Sequence, residues 1–233
     1  VKRQTSILLA LVLLCGHLAL AQNRWEIPFQ DRDIQVDGIL DEWDQIPAIV
    51  LAPNMEGLAS EGEFGEDDVR LTIRGVRNQD YLYLAIEWYD DVWDVAEVRR
   101  RDAVWISTDG TRRDRMLFFD YFKFHLRRGD YDYTLWLSPR VNDQGPHSWH
   151  RLLTGYSAME RASSAPLISA REQEDHVTIE IMFLWNELRL DRDRTSSPLT
   201  LIVSDSDQPG YLLDTKLKNL KWIAWQGEVH FGR

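Results

Sequence analysis

Five tryptophans, Trp88, Trp93, Trp105, Trp136 and Trp149, are spread across the middle of a chain that holds ten in all. Flat indole rings on a sheet face or at its rim can stack on the apolar face of a sugar. Neighbouring Asp, Asn, Arg and Gln side chains then hydrogen-bond its hydroxyls. Trp93 and Trp149 stand in polar stretches read as loops and lead the candidates for such stacking. Trp88 and Trp105 lie inside strand-like runs, where core packing competes with ligand binding. Tyr156 is a further loop candidate.

A second set of residues is acidic. Asp37, Asp41 and Asp44 surround a tight turn, Asp90, Asp91 and Asp94 surround a loop, and Asp205-Ser206-Asp207 forms a third such segment. Oxygen-rich loops of this kind hold calcium, although the spacing is not that of an EF-hand and a solvated acidic rim is the plain alternative. Asp37, Asp41, Asp90 and Asp91 are the metal candidates. His125, with Met116, Met159 or Met182, offers haem axial ligands, against the commoner use of Met in cores. His147 and His150 lack a third metal partner nearby. There is no nucleophile elbow, phosphate loop or His-Glu-x-x-His motif. Carboxylate pairs drawn from Asp90, Asp91 and Glu97 are of a kind any acidic chain offers. The chemistry therefore leans to binding without catalysis.

These residues are positioned by the stretch from Val69 to Gly110. Val69, Leu71, Ile73 and Gly75 alternate with Arg70, Thr72 and Arg74, the period of two of a half-buried strand. Asn78-Gln79-Asp80 supplies a turn. Tyr81 to Tyr89 is apolar at almost every position, as expected of a central strand covered on both faces. Ala103 to Ser107 is a short returning strand. Met116–Leu126 and Tyr131–Leu137 form a second hairpin; Phe118, Phe122, Phe124 and Leu126 share one parity, as do Tyr131, Tyr133, Leu135 and Leu137, so one face meets the core. Leu167–Ala170 and His176–Phe183 form a third. Ser138 to Ser164 reads as a loop, and Leu199–Ser204 and Lys221–Trp225 as closing strands. The expected fold is all-β: a two-sheet antiparallel sandwich of jelly-roll or immunoglobulin-like type, forming one domain over 22–233.

Lys2 and Arg3, the apolar run Ile7–Leu14 and Ala19-Leu20-Ala21 compose a secretory leader with cleavage after Ala21. The expected location is periplasmic or extracellular, with no membrane segment after cleavage. Cys15, the single cysteine, leaves with the leader. The chain carries 27 basic and 38 acidic residues, a net charge of −11, and loss of Lys2 and Arg3 takes it to −13. So acidic a surface is unsuited to nucleic acid or anionic membranes and suits neutral ligands or cations.

Val36-Asp37-Gly38-Ile39-Leu40-Asp41-Glu42-Trp43 resembles the opening of family 9 carbohydrate-binding modules. Val69–Ile73 with Tyr81–Ala85 is similar to that family's hairpin, and Asp90-Asp91 to the acidic step after it. Asp102–Asp109 resembles the next strand, with Trp105 where the family often has Glu. Val177–Trp185, Leu201–Asp207 and Leu220–Trp225 resemble its late strands. The resemblance implies a sandwich that binds a neutral oligo- or polysaccharide outside the cell, with structural calcium, often accompanying a carbohydrate-active enzyme. Ile86–Asp91 with Asp102-Ala103-Val104 is also similar to the haem-binding subunit domain of exported molybdenum dehydrogenases, which implies b-type haem and electron transfer as the alternative. A sandwich that binds an exported protein partner, without a small ligand, is the third reading.

Overall fold

The alternation of Val69–Arg77 and the apolar run Tyr81–Asp90 become two long neighbouring strands, β4 and β5, at the centre of one sheet. The computed structural model describes residues 23–65, 68–91, 93, 104–106, 112–114, 120–128, 131–142, 145–154, 158–160, 166–190, 193, 195–205 and 221–233. The strands, in chain order, are β1 (Arg24–Ile27), β2 (Ala48–Leu51), β3 (Ala59–Glu61), β4, β5, β6 (Val104–Ile106), β7 (Arg112–Asp114), β8 (Tyr121–Arg128), β9 (Tyr131–Asn142), β10 (Gly145–Thr154), β11 (Ala158–Glu160), β12 (Leu167–Glu172), β13 (His176–Leu184), β14 (Ser196–Asp205) and β15 (Lys221–Phe231). A single 3-10 turn spans Asp41–Trp43.

One sheet runs β12-β13-β5-β4-β2; the other runs β1-β15-β14-β8-β9-β10-β11, with β3 also on β15. All these pairings are antiparallel except β1 beside β15. The facing sides of the two sheets form the main core. Leu71, Ile73, Leu84, Ile86, Trp88, Ile179 and Ile181 come from one sheet, and Phe122, Phe124, Leu135, Leu137, Leu201 and Val203 from the other. Stacking of Phe124 on Phe183, centroids 5.1 Å apart, ties the sheets together. This is the two-sheet sandwich the alternation implies.

β5 is covered on both faces for only part of its length. Leu82, Leu84, Ile86 and Trp88 face the sandwich core. On the other side, Tyr83 and Ala85 are roofed by Ile34, Trp43 and Ile46 of the N-terminal segment. Beyond that roof, Glu87 and Tyr89 are only half-buried. The end of β5 thus leaves the roofed region where the sequence turns acidic.

Two departures from the sequence reading, and one strand outside it, have local causes. Gly145–Thr154 and Ala158–Glu160 are strands rather than loop. His147–Thr154 pair residue by residue with Tyr131–Ser138, and the slip between Gly145 and His147 absorbs the glycine and proline at the start. Arg24–Ile27 is an edge strand on Glu228–Phe231, a parallel pairing that no turn signal announces. Val104–Ile106 does not return beside β5, whose neighbours are β4 and β13; it pairs with Arg112–Asp114 in a separate two-stranded sheet. Among the described residues no helix is long and apolar enough to cross a membrane. The leader assigned to 1–21 lies outside the described residues.

Candidate functional site

The Asp37-Gly38 turn is built around a buried carboxylate. Glu180, wholly buried on β13, accepts the backbone N–H groups of Asp37 at 2.8 Å and Gly38 at 2.7 Å, and the indole N–H of Trp43 at 2.8 Å. Gly38 has φ +83°, and a Cβ there would stand 2.8 Å from Arg171 Cγ, so both its backbone angle and its crowding require glycine. Asp37 closes the turn by accepting the Ile39 N–H at 2.8 Å. Burial pushes the Glu180 carboxyl above the usual glutamate range, and the three donors pull it part of the way back. In this structure Asp37 therefore holds the roof over β5, and Asp41 is an exposed residue of the 3-10 turn.

At the open end of β5 the surface is concave. Asp90, Asp91 and Trp93, with Glu172–Val177 of the β12–β13 turn, line a cleft of about 520 Å³. A second cleft of about 360 Å³ lies alongside; Arg70 and Tyr89 line it, and it shares Asp90, Asp91 and Asp175 with the first. Antiparallel register creates the wall between them, because Tyr89 pairs with both Arg70 and His176 across β4, β5 and β13. The guanidinium of Arg70 lies 4.3 Å from the Tyr89 ring centroid, and the His176 ring stacks on Tyr89 with centroids 4.7 Å apart. His176 Nδ1 is 2.7 Å from Asp175, whose carboxyl is held below the usual aspartate range chiefly by that hydrogen bond. Trp93 is half-buried, its ring 5.9 Å from that of Trp88 and tilted 51°.

Under this rim the gap between the sheets is closed by acid groups. Asp90, Asp120 and Asp205 bring carboxylate oxygens within 4.8 Å of one another, and Asp120 and Asp205 are wholly buried. Lys221 stands beside them, 3.2 Å from Asp205 and 2.5 Å from Asp68. Burial pushes the Asp68 carboxyl up, but Lys221 and the Gly65 N–H outweigh it and hold it below the usual range. The donor set is all carboxylate oxygen, the chemistry that hard cations such as Ca²⁺ select. Asp90 and Asp205 come from two stretches marked as acidic in the sequence; Asp120, between unremarkable neighbours, carries no such mark. Glu180 carries no mark either, because nothing local in the sequence tells a buried glutamate from an exposed one, and the exposed Glu172–Asp175 turn reaches the site only through the pairing of β13 with β5.

The other candidates are dispersed. Trp88 is wholly buried in the main core, so its ring has no face open to a ligand. Trp105 lies in β6 and Trp149 in β10, in register with Trp136, and their side chains fall outside the described set. Tyr156 lies outside the described residues, as do Asp94 and Glu97. Trp136 stands on the outer face of the larger sheet, with Lys123 Nζ 5.4 Å from its ring. For haem, His125 and Met182 project from opposite outer faces of the sandwich. His125 alternates with core-facing Phe124 and Leu126 on β8, and Met182 packs beneath the Trp43 roof on β13. They cannot be two axial ligands of one iron. Met116 lies outside the described residues and the Met159 side chain outside the described set.

The fold is similar to that of a family 9 carbohydrate-binding module from Caldicellulosiruptor kristjanssonii solved in complex with cellotriose. The TM-score is 0.54 at 10% identity, over 90% of this chain and 94% of that one. The same kind of module in complex with glucose gives a TM-score of 0.53 at 10% identity, over 90% and 96%. A proposed carbohydrate-binding protein from Bacteroides uniformis gives 0.59, again at 10% identity, over 90% and 99%. No family model matches the sequence, and no curated protein does. The similarity is thus one of architecture, a family 9-like β-sandwich.

Proposed function

We propose that this chain is an exported, non-catalytic glycan-binding module, and that its site is the cleft beside Trp93. The observation that carries the reading is the cleft's make-up: a half-buried indole ringed by carboxylates, the Gln173 amide and the His176 imidazole, at the open end of the central strand. The indole stacks against the apolar face of a pyranose while the surrounding groups accept hydrogen bonds from its hydroxyls. The family 9-like architecture supports the reading, since two of the similar structures hold glucose or cellotriose. Carboxylates at the rim would repel uronic acids and sulfated sugars, so the ligand is an oligo- or polysaccharide without anionic groups.

The purified mature chain should be colourless and should retain at least one non-anionic oligosaccharide in a glycan-binding screen. A Soret band at one haem per chain would replace this reading with electron transfer. Silence across the screen would favour an exported protein partner.

Calcium belongs to the same proposal. Asp90, Asp120 and Asp205 would hold the ion, which would offset their mutual repulsion and brace the strand ends beneath the cleft. Saturating calcium at about 100 times its Kd should add about 2.7 kcal/mol to stability, raising Tm by roughly 5–10 °C for a chain of this size. Asp205→Asn should remove the shift. A Tm unchanged by calcium and by chelator would sink the ion site and leave the glycan reading standing.

A further inference from the structure

We infer that Lys221 is the resident counter-ion of the buried carboxylates, and that a divalent cation enters their site only in competition with its ammonium group. This rests on the calcium reading above and names the residue that sets the ion's affinity.

The charges gather because strand ends from both sheets meet at one end of the sandwich. Asp68 precedes β4 and Asp90 ends β5, neighbours in one sheet. Asp120 precedes β8 and Asp205 ends β14, neighbours in the other. Lys221 opens β15 directly opposite Asp205 in the β14–β15 register. Its Nζ stands 3.2 Å from Asp205 and 2.5 Å from Asp68, so one ammonium joins the two sheets. The contact is dry: the side chains of Lys221, Asp68 and Asp205 are 9%, 12% and 0% exposed. The stem is held as well. Gly62, at φ +104°, lies so close that an added Cβ would stand 2.7 Å from Lys221 Cγ, and the Phe64 ring centroid is 5.3 Å from Nζ.

The acid group thus already holds a cation of the protein's own, in a fixed place. An ion bound by Asp90, Asp120 and Asp205 would share the Asp205 carboxylate with Lys221. Two positive charges on one buried carboxylate repel strongly, because burial leaves them little screened. Asp68 is the second acceptor that keeps the ammonium paired when Asp205 serves the ion, since a buried charge without a partner is costly. Removing the ammonium should therefore weaken the ion-free domain and strengthen ion binding. A side chain that served packing alone would weaken both when lost.

The test is a calorimetric calcium titration of the full mature chain as wild type, Lys221→Met and Lys221→Arg. Lys221→Met should bind calcium at least about 10-fold tighter than wild type, while melting lower in chelator. Lys221→Arg, which keeps the charge, should stay near wild type. In the wild-type chain calcium should also shift the ¹⁵Nζ resonance of Lys221, a reading that needs no variant to fold. Calcium affinity in Lys221→Met equal to or weaker than wild type would overturn the inference. So would a Lys221 resonance unmoved by bound calcium. Binding by Lys221→Met alone would uphold the inference and remove calcium as the wild-type chain's ion. No binding by any of the three would overturn the inference together with the calcium reading, and leave the glycan site untouched.

Discussion

Glu180→Ala should destabilise the domain by about 3–5 kcal/mol, read as a lower urea midpoint at unchanged slope. The substitution removes the acceptor of three donors at once, the buried N–H of Gly38 and indole N–H of Trp43 and the part-buried N–H of Asp37. The Gly38 and Trp43 donors cannot turn to water while Trp43 stays buried, so the loss falls on the roof over Tyr83 and Ala85. Glu180→Gln should cost about 1–3 kcal/mol. Its amide can accept on one side but presents N–H groups to the donor on the other. The pH dependence has a definite sign. Because burial raises the Glu180 pKa in the folded state, the folded chain binds this proton more tightly than the unfolded one. Stability should therefore fall as pH rises from the ordinary glutamate range through the raised value, and level off above it. Glu180→Gln should flatten that segment of the profile. A roof that tolerates Glu180→Ala within about 0.5 kcal/mol would mean that the three hydrogen bonds do not organise the turn.

Trp93→Ala should lower glycan affinity by roughly 30- to 150-fold, about 2–3 kcal/mol, as expected of an aromatic anchor at the centre of a small site. The ring borders Trp88 as well as the cleft, so stability must be followed on the same sample. Some loss of Tm is expected, because a half-buried indole leaves apolar surface behind. Trp93→Phe separates the two effects by keeping a flat ring against Trp88 and should recover most of the affinity. Loss of binding in the alanine variant that phenylalanine does not restore would point to a disturbed rim rather than a stacking platform.

Much of this architecture is legible in the sequence, and the reasons differ from element to element. β4, β8 and β9 declare themselves because one face is drier than the other and alternation survives any detail of packing, whereas β5 declares itself as a continuous apolar run. The core face of Phe122, Phe124 and Leu126 opposite Tyr133, Leu135 and Leu137 is of that kind. β10 is not, because His147, Trp149 and His150 mix polar and aromatic residues without a clean period, and its pairing with β9 decides its conformation. β1 is four residues long and pairs with the far end of the chain, a contact no local pattern encodes.

The site divides in the same way. The acidic step at Asp90-Asp91 and the indole at Trp93 stand out, because polar residues after an apolar strand mark its open end. Trp88 has the same residue type but the opposite parity to Tyr89 and faces the core. The motif at Val36–Trp43 is conspicuous as a pattern, but the structure ties it to Glu180, 143 residues from Asp37 in sequence. The carboxylate group of Asp90, Asp120 and Asp205 likewise joins three distant segments, and only the stacking of two sheets brings them within 4.8 Å.

The most direct test of the central claim is an indole N–H NMR titration of the ¹⁵N-tryptophan-labelled mature chain with a retained oligosaccharide, using Trp93→Phe to assign one peak. The account predicts that the Trp93 indole shifts most, with the core indoles of Trp43 and Trp185 unmoved. Shifts confined to an outer-face indole such as Trp136, or no shift with any glycan, would contradict it.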